Sequence, residues 1–219
     1  MTSLNEFAKW MNQGHGRCAL ILQKSEDPEI YRDIALEGCR RNFAYDAQCE
    51  GTRAWFVHRL TEYFSDRSVF IKTACDAIES IDNRWGWDFH HLVDLLTLFA
   101  CDGETDAADA LMKKYIALRD TLISKNEFSL IDYDLDDFNH IAGEMMRYLG
   151  TDGFSAITED IGKIITSNSR YCGDDFDEID FYAKQILGGQ NVERILGENK
   201  REMTQLYRRR IPRKEKIFQ

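Results

Sequence analysis

Along the chain, apolar residues recur at helical spacing between short polar breaks, and no run alternates strictly between apolar and polar positions. Phe56, Val57, Leu60, Tyr63 and Phe64 make one apolar stripe, and Phe89, Leu92, Val93, Leu96 and Phe99 make another. The pattern predicts helices over residues 3–12, 15–24, 28–42, 47–64, 67–80, 88–101, 104–124, 135–149, 154–168, 177–188 and 191–210. Only Pro28 and Pro212 occur in the chain, so almost all of it lacks the strongest helix breaker. The expected fold class is all-α.

A longer period overlies the helical one. An apolar residue, a bulky apolar residue three later and an aspartate three after that appear as Leu60-Tyr63-Asp66, Leu96-Phe99-Asp102 and Met146-Leu149-Asp152, with a looser version at Ile21 and Asp27. The starts fall 39, 36 and 50 residues apart, the last interval being lengthened by the insert Lys125 to Asp134. Intervals near forty residues suit a repeated helix hairpin. Each aspartate is placed where a second helix begins, where a carboxylate accepts from unpaired backbone N–H groups and favours the positive end of the helix dipole.

The stretches "WDFHHLVDLLTLFACDGETDAADALMKKY" and "GTRAWFVHRLTEYFSDRSVFIKTACDAI" resemble the helix pairs of bacterial HEAT-like α-solenoid repeat proteins. The resemblance spans about residues 15–170 and is one of pattern, with no diagnostic motif. It implies an α-α superhelix, right-handed, of about five antiparallel helix pairs, each burying its apolar face against its neighbours. Such proteins generally serve as interaction scaffolds, though one HEAT-like branch, the alkylpurine DNA glycosylases, consists of enzymes.

Charge divides the chain in two. The formal net charge is −10, yet residues 200–219 carry eight Lys and Arg against two Glu, a local +6 that leaves −16 on residues 1–199. We therefore expect an α-solenoid domain over 1–199 and a basic C-terminal helix end and tail over 200–219. An acidic body argues against a large nucleic-acid footprint, which needs clustered positive charge. Arg208, Arg209, Arg210, Arg213, Lys214 and Lys216 of the tail remain a candidate nucleic-acid contact, and equally a candidate contact for an anionic surface or the acidic body. The six cysteines form no CxxC pair, the first residues lack a secretory pattern, and no apolar stretch approaches the ~20 residues of a membrane span, so a cytoplasmic protein is expected.

Four places invite a chemical reading. In "AYDAQCEGTRAWFVHRL", Asp46, Gln48, Cys49, Glu50, Arg53 and His58 crowd together, a pattern expected of a helix start with Asp46 as N-cap and a Glu50–Arg53 pair, and alternatively of a ligand or partner site. Gly51 inside that helix hints at a close backbone approach. In "WGWDFHHLVDLL", His90, Asp94, Thr97 and Cys101 fall on a face away from the apolar stripe. His90 and Asp94 have the one-turn spacing of two metal ligands, but neither HExxH nor a second ligand pair accompanies them, so a solvated His–Asp pair is expected. Trp85 and Trp87 just before form either an exposed aromatic platform or, the commoner use of Trp, packing in the hairpin joint.

Asp132, Asp134 and Asp136 open like a calcium loop, but Asp137 and Gly143 stand where Gly and Glu are needed. Asp137 and His140 imitate half of a di-iron helix motif whose twin is missing. Finally, "DDFDEIDF" at 174–181 is either a solvated helix start or a dock for a basic partner or for the tail. No nucleophile elbow or phosphate loop appears, and no catalytic residue, cofactor or metal is assigned.

The function expected from the sequence is a non-catalytic, protein-binding scaffold or adaptor that uses a solenoid groove and an acidic surface, with Arg53, Trp55, His58, Trp87, His90, Asp94, Asp174, Asp175, Asp177 and Glu178 as partner-binding residues. The alternatives are a HEAT-like glycosylase-type enzyme and a nucleic-acid-binding regulatory subunit acting through the tail.

Overall fold

A computed structural model of the chain describes residues 4–12, 17–44, 53–81, 86–125, 132–149, 151–168 and 170–176. These form nine α-helices and no strand: α1 (Leu4–Asn12), α2 (Arg17–Lys24), α3 (Arg32–Ala44), α4 (Arg53–Thr61), α5 (Ser68–Ser80), α6 (Gly86–Cys101), α7 (Thr105–Ser124), α8 (Tyr133–Leu149) and α9 (Thr151–Ser167). The chain is all-α over these residues. Among them no helix is long and apolar enough to cross a membrane.

Several ends differ from the sequence pattern, for local reasons. The element expected from residue 28 opens as a 3₁₀ turn, Pro28–Tyr31, which Asp27 caps by accepting from the Glu29 N–H at 3.1 Å. Only at Arg32 does it become α-helix. The helix expected to reach 64 stops at Thr61, and residues 62–65 tighten into i→i+3 turns such as Tyr63 N–H to the Leu60 carbonyl. The helix expected from 154 starts at Thr151. The expected start of the α4 helix at 47, with Asp46, Gln48, Cys49, Glu50 and Gly51, lies outside the described residues, as do Trp85 and the helices expected at 177–188 and 191–210.

The helices pack in two series. α1 packs on α3, α3 on α5, α5 on α7 and α7 on α9, while α4 packs on α6 and α6 on α8. Consecutive helices close the pairs α1–α2, α5–α6, α6–α7, α7–α8 and α8–α9. Gly38 marks one tight crossing, because a Cβ there would lie 2.8 Å from Met11 Cε of α1.

α6 is the centre of this arrangement. From Leu92 to Ala100 every residue except Asp94 is buried. Its "other face" is therefore not a solvated one. Thr97 is buried and returns its hydroxyl proton to the Val93 carbonyl at 2.9 Å, and Leu95 and Leu98 are enclosed as completely as Leu92 and Leu96 of the expected stripe. A helix apolar all round is stable only when surrounded, and α3, α4, α5, α7 and α8 all contact it.

The turn after α6 is set by Gly103, whose φ of +96° only glycine adopts without strain. Its N–H bonds the Ala100 carbonyl and the next N–H, of Glu104, reaches Phe99, which is the paired closure of a Schellman end.

Truncating Leu96, fully buried in α6, to Ala is expected to lower the unfolding free energy by about 2–5 kcal/mol, whereas Met112→Ala on the exposed side of α7 changes it by less than about 0.5 kcal/mol. Urea titration of both variants measures the contrast.

Candidate functional site

The turn aspartates do not all do the same work. Asp66 behaves as the spacing suggests, accepting from the Ser68 N–H at 2.9 Å at the start of α5. Asp102 departs from the pattern: α7 begins without a side-chain cap, and the Asp102 carboxylate reaches back to the preceding helix pair. There Oδ2 accepts from His58 Nε2 of α4 at 2.8 Å and from Arg67 Nη2 at 2.9 Å. The His58 ring is buried and lies against Phe99, centroids 5.4 Å apart. Burial by itself pushes the Asp102 carboxyl up, but the hydrogen bonds and charges of His58 and Arg67 outweigh it and hold the group at about 2.

A second cluster lies on the contact between α6 and α8. The expected solvated His90–Asp94 pair is not formed; each of the two turns instead to α8. His140 Nε2 donates to Asp94 Oδ1 at 3.0 Å, and His90 Nε2 stands 3.5 Å from Asp137 Oδ1. The two imidazoles stack, centroids 4.1 Å apart and 13° from parallel. Asp137 is entirely enclosed and neither of its oxygens has a hydrogen-bond partner. The half motif Asp137–His140 thus meets the half motif His90–Asp94 across the helix contact. Even so, among the described residues no group of three or more His, Cys, Asp or Glu side chains is placed to hold a metal ion.

Two further networks tie the ends of the helices. Asp160 of α9 accepts from Tyr115 at 3.0 Å and from Arg119 at 3.2 Å, both on α7. Lys125 donates to Asp134 at 2.7 Å and also pairs with Asp132, which in turn accepts from Tyr171 at 2.7 Å. Two of the three aspartates of the calcium-like opening are therefore occupied by a lysine ammonium.

Of the remaining predicted site residues, Asp175 sits in the 3₁₀ turn Gly173–Phe176 and works locally. Its carboxylate accepts from the Cys172 N–H at 2.7 Å, and its carbonyl accepts from Asn139 of α8 at 2.7 Å. The same turn drives Phe176 against Phe138 and Tyr171. Arg53 and Trp55 belong to α4, Trp87 to α6 and Asp174 to the 3₁₀ turn, but their side chains lie outside the described residues. Asp177, Glu178, Arg208, Arg209, Arg210, Arg213, Lys214 and Lys216 lie outside them altogether.

Chemically, both histidine clusters set an acid against a base across a helix contact. That arrangement fixes helices relative to one another and stores titratable groups in a poorly solvated place. Two of the thiols offer little nucleophilicity: burial pushes Cys18 and Cys39 up to about 12, where the thiol stays protonated.

The α6–α8 pairing left a signal in the sequence. His90 and His140 each stand twelve residues ahead of a turn aspartate, Asp102 and Asp152, and Asp94 and Glu144 each stand eight ahead. The two histidines at this shared spacing are the ones that stack.

Comparison of the chain with models of known protein families, with curated proteins and with solved structures finds no match.

Asp102 has a depressed folded-state pKa, so it adds stability that is present above the ordinary carboxyl value of 3.8 and lost as pH falls towards 2. Asp102→Asn is expected to lower stability near neutrality, by about 1 kcal/mol given that solvent screens this half-exposed group, and to remove that part of the acid sensitivity, as read by denaturation at a series of acidic pH values. For the second cluster, a double-mutant cycle on Asp94→Ala and His140→Ala is expected to give a coupling of about 0.5–2 kcal/mol. Strict additivity would mean that the 3.0 Å contact contributes nothing.

Proposed function

We propose that this chain is a stack of about five helix pairs, an α-solenoid, that acts as a non-catalytic binding scaffold. Its groove and acidic surface hold a basic or extended protein partner. The observation that carries this reading is the alternate packing of helices: α1, α3, α5, α7 and α9 in one series, α4, α6 and α8 beside them. A chain built by adding pairs at one end presents long surfaces in proportion to its length, which is the geometry used to grip extended ligands. The −16 formal charge on residues 1–199 supplies the complement for a basic partner.

The histidines and acids that first suggested catalysis support the same reading. His58 is committed to Asp102, and Asp94 to His140, so these groups brace helices. On the partner surface we place Arg53, Trp55, Trp87, the partly exposed His90, and the acids Asp174, Asp177 and Glu178. Asp175 is better left intact in any test, because its carboxylate holds its own turn together.

The test is affinity capture with the full chain beside a chain ending at Asn199, with and without nuclease. A protein captured equally by both and unaffected by nuclease is the expected result. Changing Asp174, Asp177 and Glu178 together to Lys is expected to abolish that capture while leaving the helical circular dichroism unchanged. Capture that disappears with nuclease, or with residues 200–219, would overturn the scaffold reading in favour of nucleic-acid binding through Arg208, Arg209, Arg210, Arg213, Lys214 and Lys216.

A further inference from the structure

The contact between α6 and α8 contains a carboxylate in an unusual position. Asp137 is entirely enclosed, its oxygens have no hydrogen-bond partner, and the nearest opposing base is His90 Nε2 at 3.5 Å. An ionised carboxylate in such a place beside a neutral imidazole is a buried and poorly compensated charge, which is costly. One added proton removes that cost wherever it settles. On the carboxyl it leaves two neutral groups, and on the imidazole it makes an ion pair.

We propose that the α6–α8 contact is a proton-operated latch, in which His90 and Asp137 share one proton whose uptake in mild acid tightens the two helices together and whose loss in mild alkali loosens them.

The surroundings limit the uptake to one proton. His140 Nε2 is already committed to Asp94 Oδ1 at 3.0 Å. A second imidazolium, stacked on the first at a centroid distance of 4.1 Å, would place like charges face to face.

Among the described side chains, several further charged groups surround the latch. From α7, Lys114 acts on Asp137 as an opposing charge; its ammonium lies 5.7 Å above the Phe89 ring and donates to the Ile81 carbonyl at 3.4 Å. On α8, Asp134 acts on Asp137 as a like charge but is paired with Lys125, and Glu144 is buried one turn beyond His140. On α6, His91 adjoins His90, and Phe89 meets the His90 ring edge-on at 6.1 Å. From α4, His58 is held by Asp102, and from α5, Lys72 and Glu79 are paired with Asp76 and Lys113. Burial pushes the Asp137 carboxyl above the ordinary range against the smaller pull of His90 and Lys114, in the direction the geometry requires. A group raised in the folded state adds stability that is complete at low pH and is lost as pH rises through its folded value.

The test is urea unfolding of the full chain between about pH 5.5 and 8.5, comparing the natural sequence with Asp137→Asn, which keeps the shape and removes the proton site. The unfolding constant of the natural chain is expected to rise with pH by up to about tenfold per unit more than that of the variant, the slope of one linked proton. The variant should be the more stable of the two above about pH 8. Equal slopes would overturn the proposal.

Imidazole proton resonances of the folded natural chain, assigned with His90→Asn and His140→Asn, give a second readout that does not depend on how well Asp137→Asn folds. A single step felt by both rings is expected. Two independent, ordinary titrations would overturn the latch.

Discussion

A helix that is apolar on every side has to be enclosed, and most of this structure follows from enclosing α6. Leu92, Val93, Leu95, Leu96, Leu98, Phe99 and Ala100 leave it no face suited to water, so helices from both series are drawn onto it. Enclosure then constrains the few polar groups it carries, since a buried polar atom must find a partner inside the protein. Thr97 turns back to its own backbone, Asp94 takes His140, and Asp102 at the end of the helix takes His58 and Arg67. The polar contacts are consequences of apolar packing, and they record which neighbour each face of α6 received.

Much of this was legible in the sequence because it is local. The 3.6-residue period, the scarcity of proline and the spacing of Asp66 and Asp102 place the helices within a few residues. The all-round burial of α6 was equally visible in "LVDLLTLFA", but assigning its apolar residues to a single stripe hid it, since Leu95 and Leu98 lie off that stripe. What could not be read directly was partnership. Periodicity assigns His90 and Asp94 to a face of their helix and says nothing about Asp137 and His140, more than forty residues further on. Only the repeat register, applied to polar as well as apolar positions, connects them.

The turn aspartates illustrate how one sequence signal serves two ends. Asp27 and Asp66 meet the backbone N–H groups just ahead of them. Asp102 has the same spacing, but the glycine-dependent closure at Gly103 already satisfies the end of α6, and His58 and Arg67 offer side-chain donors to its charged carboxylate. A charge-assisted hydrogen bond is roughly twice as strong as a neutral one, so the carboxylate leaves the cap for the stronger partners.

The link from Asp102 back to α4 also bears on how the molecule comes apart. Stacked helix pairs ordinarily fray from their ends, each unit opening with little reference to the next. Here Asp102, just past the end of α6, is bonded to α4, and Asp94, in the middle of α6, to α8. Opening any one of these three helices breaks contacts made by another, so α4, α6 and α8 are coupled and exchange their amide hydrogens together.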